Sequence, residues 1–235
     1  MIRALLASLC LFCLSALPVQ AGEKSPVVVE LFTSQGCSSC PPADRLLEEL
    51  ASQPHIIALS LPVTYWDYLG WTDKFAKPDH DQRQRRYAQI MDERRVYTPQ
   101  MVIQGRDAIV GHRRAEANGS ITKFAAAPAT VAITLRQETP TLIEAQLTGQ
   151  SAPATIWMVE FDRRQTVDIK RGENGGRRLT YVNVVSHMKK LGDWQGPRLD
   201  FRHELAAPLT PGKGCALIVQ DDRNGHILGA AQLTL

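Results

Sequence analysis

The 235 residues contain no internal repeat, heptad pattern or low-complexity segment, which excludes solenoid and coiled-coil architectures. Neither sign of charge dominates: 27 Lys and Arg stand against 24 Asp and Glu, interspersed, for a formal charge of +3. A field that weak argues against a nucleic-acid partner. No apolar run reaches the roughly 20 residues that span a bilayer; Pro18, Gln20, Glu23 and Lys24 end the first one too early. Beyond the N-terminal apolar run, which holds Cys10 and Cys13, Cys37 and Cys40 form a CxxC with no second Cys or His pair at comparable spacing, so no metal site is expected. Ser-His-Asp constellations and phosphate-binding glycine loops are also missing.

What is present begins at the N-terminus. Arg3 precedes an apolar run from Ala4 to Leu17, and Val19-Gln20-Ala21 forms a small-x-small cleavage site. This pattern predicts a secretory signal peptide at residues 1–21, a periplasmic or secreted protein, and no stable membrane insertion after cleavage. Cys10 and Cys13 would leave with the signal. Cys37, Cys40 and Cys215 remain, an odd number for a compartment in which structural cysteines are usually paired, so at least one thiol is free, transiently paired or reactive.

The rest of the chain divides in two. From Pro26 to about Ala127, strand-like runs (VVVELF, HIIALSLPV, QMVIQG, AIVGHR) alternate with helical patterns (PADRLLEELAS, HDQRQRRYAQIMDERR), which predicts an α/β layer closed by a short helix within 116–127. Beyond Pro128 the period becomes two. Eight candidate strands separated by turn residues predict an antiparallel β-sandwich over 128–235, with Asn224-Gly225 as a hairpin turn.

The chemistry lies where VVVELF passes through Thr33-Ser34-Gln35-Gly36 into Cys37-Ser38-Ser39-Cys40 and a helix over Pro42–Leu50. Unpaired N–H groups and the macrodipole of a helix start stabilise negative charge, so a thiolate at Cys37 is favoured. Cys37 is then the exposed nucleophile, and Cys40, one turn further in, resolves a mixed disulfide. An inert structural disulfide is the alternative.

At these residues the stretch from Val27 to about Arg114 resembles a thioredoxin-like domain, placed at 23–127. VELFTSQGCSSCPPAD, PVTYWDYLGW, YTPQMVIQG and GENGGRRLTYVNVV are together similar to a secreted bacterial family catalogued as domain of unknown function 1223. The resemblance implies a Cys37–Cys40 disulfide and a cis peptide at Thr98-Pro99, lying against the redox pair so that Thr98 can align a substrate backbone. Departures exist. Gly36 replaces the aromatic residue before the first cysteine, Ser38-Ser39 replaces Gly-Pro, and Glu30 stands one residue further upstream than the buried carboxylate of thioredoxins. Glu30 is either a proton acceptor for Cys40 or a carboxylate satisfied by a local partner.

Tyr65, Trp66, Tyr68 and Trp71 crowd one loop of a chain with 15 aromatics. They bind an apolar stretch of substrate or plug a core. Asp73 and His80 are candidates for proton transfer or plain surface polar groups. Arg83, Arg85, Arg86, Arg94 and Arg95 accompany Asp79, Asp81, Asp92 and Glu93 as a solvated, salt-bridged helix face. Gly172 to Arg178 reads as a long turn that could also contact the first half, with no chemistry assigned to it, and Cys215 as a buried thiol or a second resolving cysteine.

The expected protein is therefore an extracytoplasmic thiol-disulfide oxidoreductase without a bound cofactor. Its partners would be protein or small-molecule thiols and disulfides, plus a redox protein that resets the pair. The rivals are a non-catalytic thioredoxin-fold binding module that presents the aromatic loop, with the CxxC as a staple, and a structural or metal-binding periplasmic protein.

Overall fold

Every residue from Val27 to Thr33 is buried, as a strand covered on both faces requires. This is β1 in a computed structural model that describes residues 25–150 and 152–235; the expected signal peptide lies outside them. The order continues α1 (Pro41–Ala51), β2 (Ile56–Pro62), a 3₁₀ turn (Asp67–Leu69), α2 (Pro78–Ile90), β3 (Gln100–Ile103), β4 (Asp107–Val110) and α3 (Arg114–Ala125). Then come β5 (Val131–Gln137), β6 (Leu142–Gly149), β7 (Ala154–Asp168), β8 (Arg178–Trp194), β9 (Arg198–Glu204), β10 (Lys213–Asp221) and β11 (Ile227–Thr234). The first half is thioredoxin-like and the second is an antiparallel, β-rich layer structure. Among the described residues seven strands follow residue 128 rather than the eight expected, because QTVDIKR continues the preceding strand to make the 15-residue β7.

The halves share one sheet, ordered β11-β10-β7-β8-β2-β1-β3-β4. The join is a parallel contact between Ser60 of β2 and Val184 of β8, reinforced by the Asn183 amide, which donates to the Ala58 carbonyl at 2.8 Å. β5, β6 and β9 form a second sheet whose Val131, Ile143, Ala145 and Leu147 pack against Ile156, Met158, Leu217 and Trp194. That packing makes the C-terminal half a two-layer sandwich.

β1 separates two cores by its side-chain alternation. Val27, Val29 and Leu31 face Ala43, Leu46, Leu47 and Leu50 of α1, whereas Val28 and Phe32 face Tyr87 of α2. Apart from Tyr87 and Ala88 the buried residues of α2 are polar: His80, Asp81, Arg83 and Gln84. Arg83 therefore departs from the solvated arginine face read in the sequence. Its Nε donates to Glu30 Oε1 at 2.5 Å, Nη2 donates to Glu30 Oε2 at 3.1 Å, and Nη1 donates to Gln220 Oε1 of β10 at 3.1 Å. Tyr87 completes the group through a hydroxyl that donates to Glu30. The helix ends at Ile90, short of the Arg94-Arg95 end of the sequence pattern.

A buried pair broken on one side leaves an uncompensated charge, which costs about 3–5 kcal/mol. Arg83→Met is expected to lower stability by that amount in denaturant unfolding. The double variant with Glu30→Gln should lose less than the sum of the single variants, since each removes what the other leaves stranded.

Candidate functional site

The segment from Ser34 to Cys40 turns β1 into α1 through short local bonds. The Ser34 hydroxyl accepts the Gly36 N–H at 3.0 Å, and the Ser34 carbonyl accepts that of Cys37 at 3.2 Å. Cys37 and Cys40 are disulfide-bonded, with Cα atoms 5.4 Å apart. The Cys40 carbonyl then accepts the N–H of Ala43 and of Asp44, opening α1, and Pro41 fills a first-turn position where a missing donor costs little. The pair thus sits at a helix N-terminus.

Cys37 is not the exposed residue expected from that position. Its relative exposure is 1 % and that of Cys40 is 0 %, while Ser38 and Ser39 form the exposed edge of the turn. The reason is tertiary. Trp66 lies so close to Gly36 that a Cβ there would be 3.2 Å from the Trp66 Cβ, and residues of the distant β7–β8 connection bond to the turn. The Asn174 amide donates to the Gln35 carbonyl at 3.0 Å and to the Cys37 carbonyl at 2.9 Å; Glu173 accepts the Ser38 N–H at 2.9 Å. The glycine-rich turn, expected as a long turn able to contact the first half, thereby reaches the CxxC turn, although no local signal assigned it any chemistry.

Two carboxyls lie beneath the turn. Asp44, four residues after Cys40 and so on the same side of α1, accepts the Thr33 hydroxyl at 2.8 Å through Oδ1, and its Oδ2 has no partner. Burial pushes it up to about 7. Asp73 accepts the Gln35 N–H at 2.8 Å and is pushed up to about 6, again mainly by burial. Asp44 carried no distinguishing mark in the sequence beyond its helical spacing from Cys40.

Glu30 belongs elsewhere. Its place on β1 turns it toward α2 and into the bonds with Arg83 and Tyr87, on the face opposite α1. The Thr98-Pro99 peptide is cis. Pro99 packs near the first turn of α1, since a Cβ on Gly111 would lie 3.1 Å from both the Ala43 and Pro99 Cβ atoms and 2.8 Å from Leu31 Cδ1. Only a residue without a side chain fits between them.

The aromatic loop is mostly turned inward. Tyr65 and Trp66 pack on the α2-side core and Trp71 packs with Ile169 and Tyr181, its indole N–H donating to Gln35 Oε1 at 2.8 Å. Tyr68 alone of the four is solvent-facing, at 79 % exposure. His80 is buried with Nδ1 at 2.8 Å from the Pro62 carbonyl, and burial holds its pKa below the ordinary value. Cys215 is a buried free thiol of β10 within the sandwich core, pushed up to about 11 by desolvation. Among the described residues, no group of three His, Cys, Asp or Glu is arranged to hold a metal ion.

Residues 28–220 match the model of a family described as Protein of unknown function (DUF1223). The chain belongs to that family. Its DUF1223 fold is similar to the crystal structure of a protein from Agrobacterium tumefaciens, with 30 % identity over 91 % of this chain and 96 % of that one, at a TM-score of 0.78. HBP35 of Porphyromonas gingivalis is similar in fold, with 14 % identity over 90 % of this chain and 76 % of that one, at a TM-score of 0.60. No curated protein matches.

A carboxyl raised from 3.8 to about 7 makes the folded state bind an extra proton across that window, so stability falls as pH rises through it. Asp44→Asn keeps an acceptor for Thr33 and removes the cost. Denaturant unfolding should show the variant gaining up to about 4 kcal/mol at pH 8 and little at pH 4, because one pKa unit is worth about 1.4 kcal/mol.

Proposed function

We propose that this DUF1223 protein is a thiol-disulfide oxidoreductase working outside the cytoplasm, a reading carried by the Cys37–Cys40 disulfide immediately before α1. The signal-like N-terminus and a paired CxxC both suit an oxidising compartment. Among the described residues, no helix is long and apolar enough to cross a membrane.

In the reductive direction the Cys37 thiolate attacks one sulfur of a substrate disulfide, and the other substrate sulfur leaves as a thiolate. Ser39 supports this assignment, since its Oγ is 3.4 Å from Cys37 Sγ and can donate to the negative sulfur. Cys40 then displaces the second substrate thiolate from Cys37, re-forming the Cys37–Cys40 disulfide. Two electrons pass from the pair to the substrate; run backwards, the sequence oxidises a substrate dithiol. Asp44 takes the proton that Cys40 loses, a role supported by its burial, its helical spacing and a pKa near neutrality. Pro99 lies near the first turn of α1, a position from which the neighbouring Thr98 backbone would pair with an extended substrate segment, and Tyr68 is the exposed aromatic ring for its apolar part. A separate redox protein resets the pair.

A second reading, a binding module in which the disulfide is a staple, is favoured by the near-complete burial of both cysteines. Single-cysteine variants separate the two. Cys37→Ser is expected to reduce exchange with a dithiol probe to the uncatalysed rate. Cys40→Ser should accumulate mixed disulfides on non-reducing gels, and Cys215→Ala should exchange like the parent. Absence of trapped species in Cys40→Ser together with an inert parent would establish the staple.

A further inference from the structure

The β7–β8 connection is built as a rigid tip. Ile169 N–H donates to the Arg177 carbonyl at 2.9 Å, and Gly176 N–H donates to that of Ile169 at 2.8 Å. Ile169 itself is buried with Val167, Tyr181 and Val184 against Trp71 and Phe75 of the first half. Gly172 adopts φ 75°, where a side chain is strained, and a Cβ there would be 3.2 Å from the Trp71 Cβ. The tip is thus seated on the aromatic loop before it touches the CxxC turn.

From that seat two consecutive residues engage the turn. Asn174, fully buried, is bonded through both ends of its amide: Nδ2 serves the carbonyls of Gln35 and Cys37, and Oδ1 accepts from Arg177 Nη1 at 2.8 Å. Glu173, exposed, places its carboxylate on the N–H of Ser38, the residue after Cys37. The Ser38 hydroxyl, and after it this N–H, hold the Glu173 carboxyl below its ordinary range. We propose that Glu173 and Asn174 are positioning residues for the redox pair: Asn174 fixes the turn, and the Glu173 carboxylate opposes negative charge on the Cys37 sulfur, making the pair more strongly reducing.

The argument is electrostatic. A backbone N–H beside Cys37 would otherwise help to stabilise its thiolate, but Glu173 occupies that donor and adds a like charge close by. Other charged and titratable groups around the turn are Asp44 and Arg45 of α1, Asp73 after β2, Tyr181 of β8 and Arg177 of the tip. Arg177 is occupied with Asn174. Disfavouring the thiolate disfavours the reduced form, so the disulfide is retained more tightly.

This inference rests on the redox reading of the pair, and the experiment distinguishes the two. Full-length mature protein, Glu173→Gln and the charge-keeping Glu173→Asp are each equilibrated with glutathione, two thiols giving one glutathione disulfide as the Cys37–Cys40 bond opens. In parallel, the rate of Cys37 alkylation in dithiothreitol-reduced protein is followed against pH. Glu173→Gln should lower the Cys37 thiol pKa by about one unit. At pH 8 it should move the glutathione equilibrium about threefold to tenfold toward the dithiol, a tenfold change being about 30 mV. The shift should fade at pH 5.5, where both proteins hold protonated thiols, and Glu173→Asp should stay near the parent. A purely structural loss would not fade with pH. Identical alkylation profiles in parent and Glu173→Gln overturn the inference, whether or not the pair exchanges. A pair that fails to equilibrate with glutathione in every protein overturns the redox reading instead.

Discussion

The architecture depends on β8 taking the edge of β2. One parallel contact, Ser60 opposite Val184, and one side-chain bridge, Asn183 to the Ala58 carbonyl, turn two half-sheets into one of eight strands. The exposed edge that β2 would otherwise present is covered. Because β8 is also paired along its length with β7, the same contact aims the β7–β8 tip at the turn between β1 and α1. The β-rich half is consequently part of the site: it supplies Glu173 and Asn174 to residues more than 130 positions away in sequence.

Ionisable groups are buried on both faces of β1, and each face handles them differently. Toward α2, Glu30 is bonded to Arg83 and Tyr87, with Gln220 tying the group to β10, so the carboxylate is matched by a cation and hydrogen-bond donors. Toward α1, Asp44 has only a hydroxyl donor, and Asp73 has backbone donors without a cation. Desolvation then wins, and both carboxyls shift toward neutrality instead of pairing. The face beneath the disulfide therefore holds groups that exchange protons near neutral pH, whereas the opposite face holds a locked charge pair.

The strand-to-helix passage, the CxxC at its end, the alternation of strands and helices in the first half and the period-two strands of the second are all legible from residue order alone. Each is a local pattern written within a few residues: a seven-residue apolar strand, prolines at a helix start, alternating side chains facing one buried side. Tertiary structure decided the rest. Whether Cys37 is exposed depends on a loop 135 residues beyond Ser38, and periodicity carries no information at that range. Arg83 reads as a solvated charge in its own helix because the carboxylate that buries it lies 53 residues away. Of the two readings open for Glu30, the partnered carboxylate is the one the packing selects: the face a residue presents follows from strand alternation, but the group it meets is set by which elements pack there. Tyr68 stayed in solvent while Trp66 and Trp71 went inward, since an aromatic cluster specifies apolar area and only the neighbouring elements specify which rings it covers.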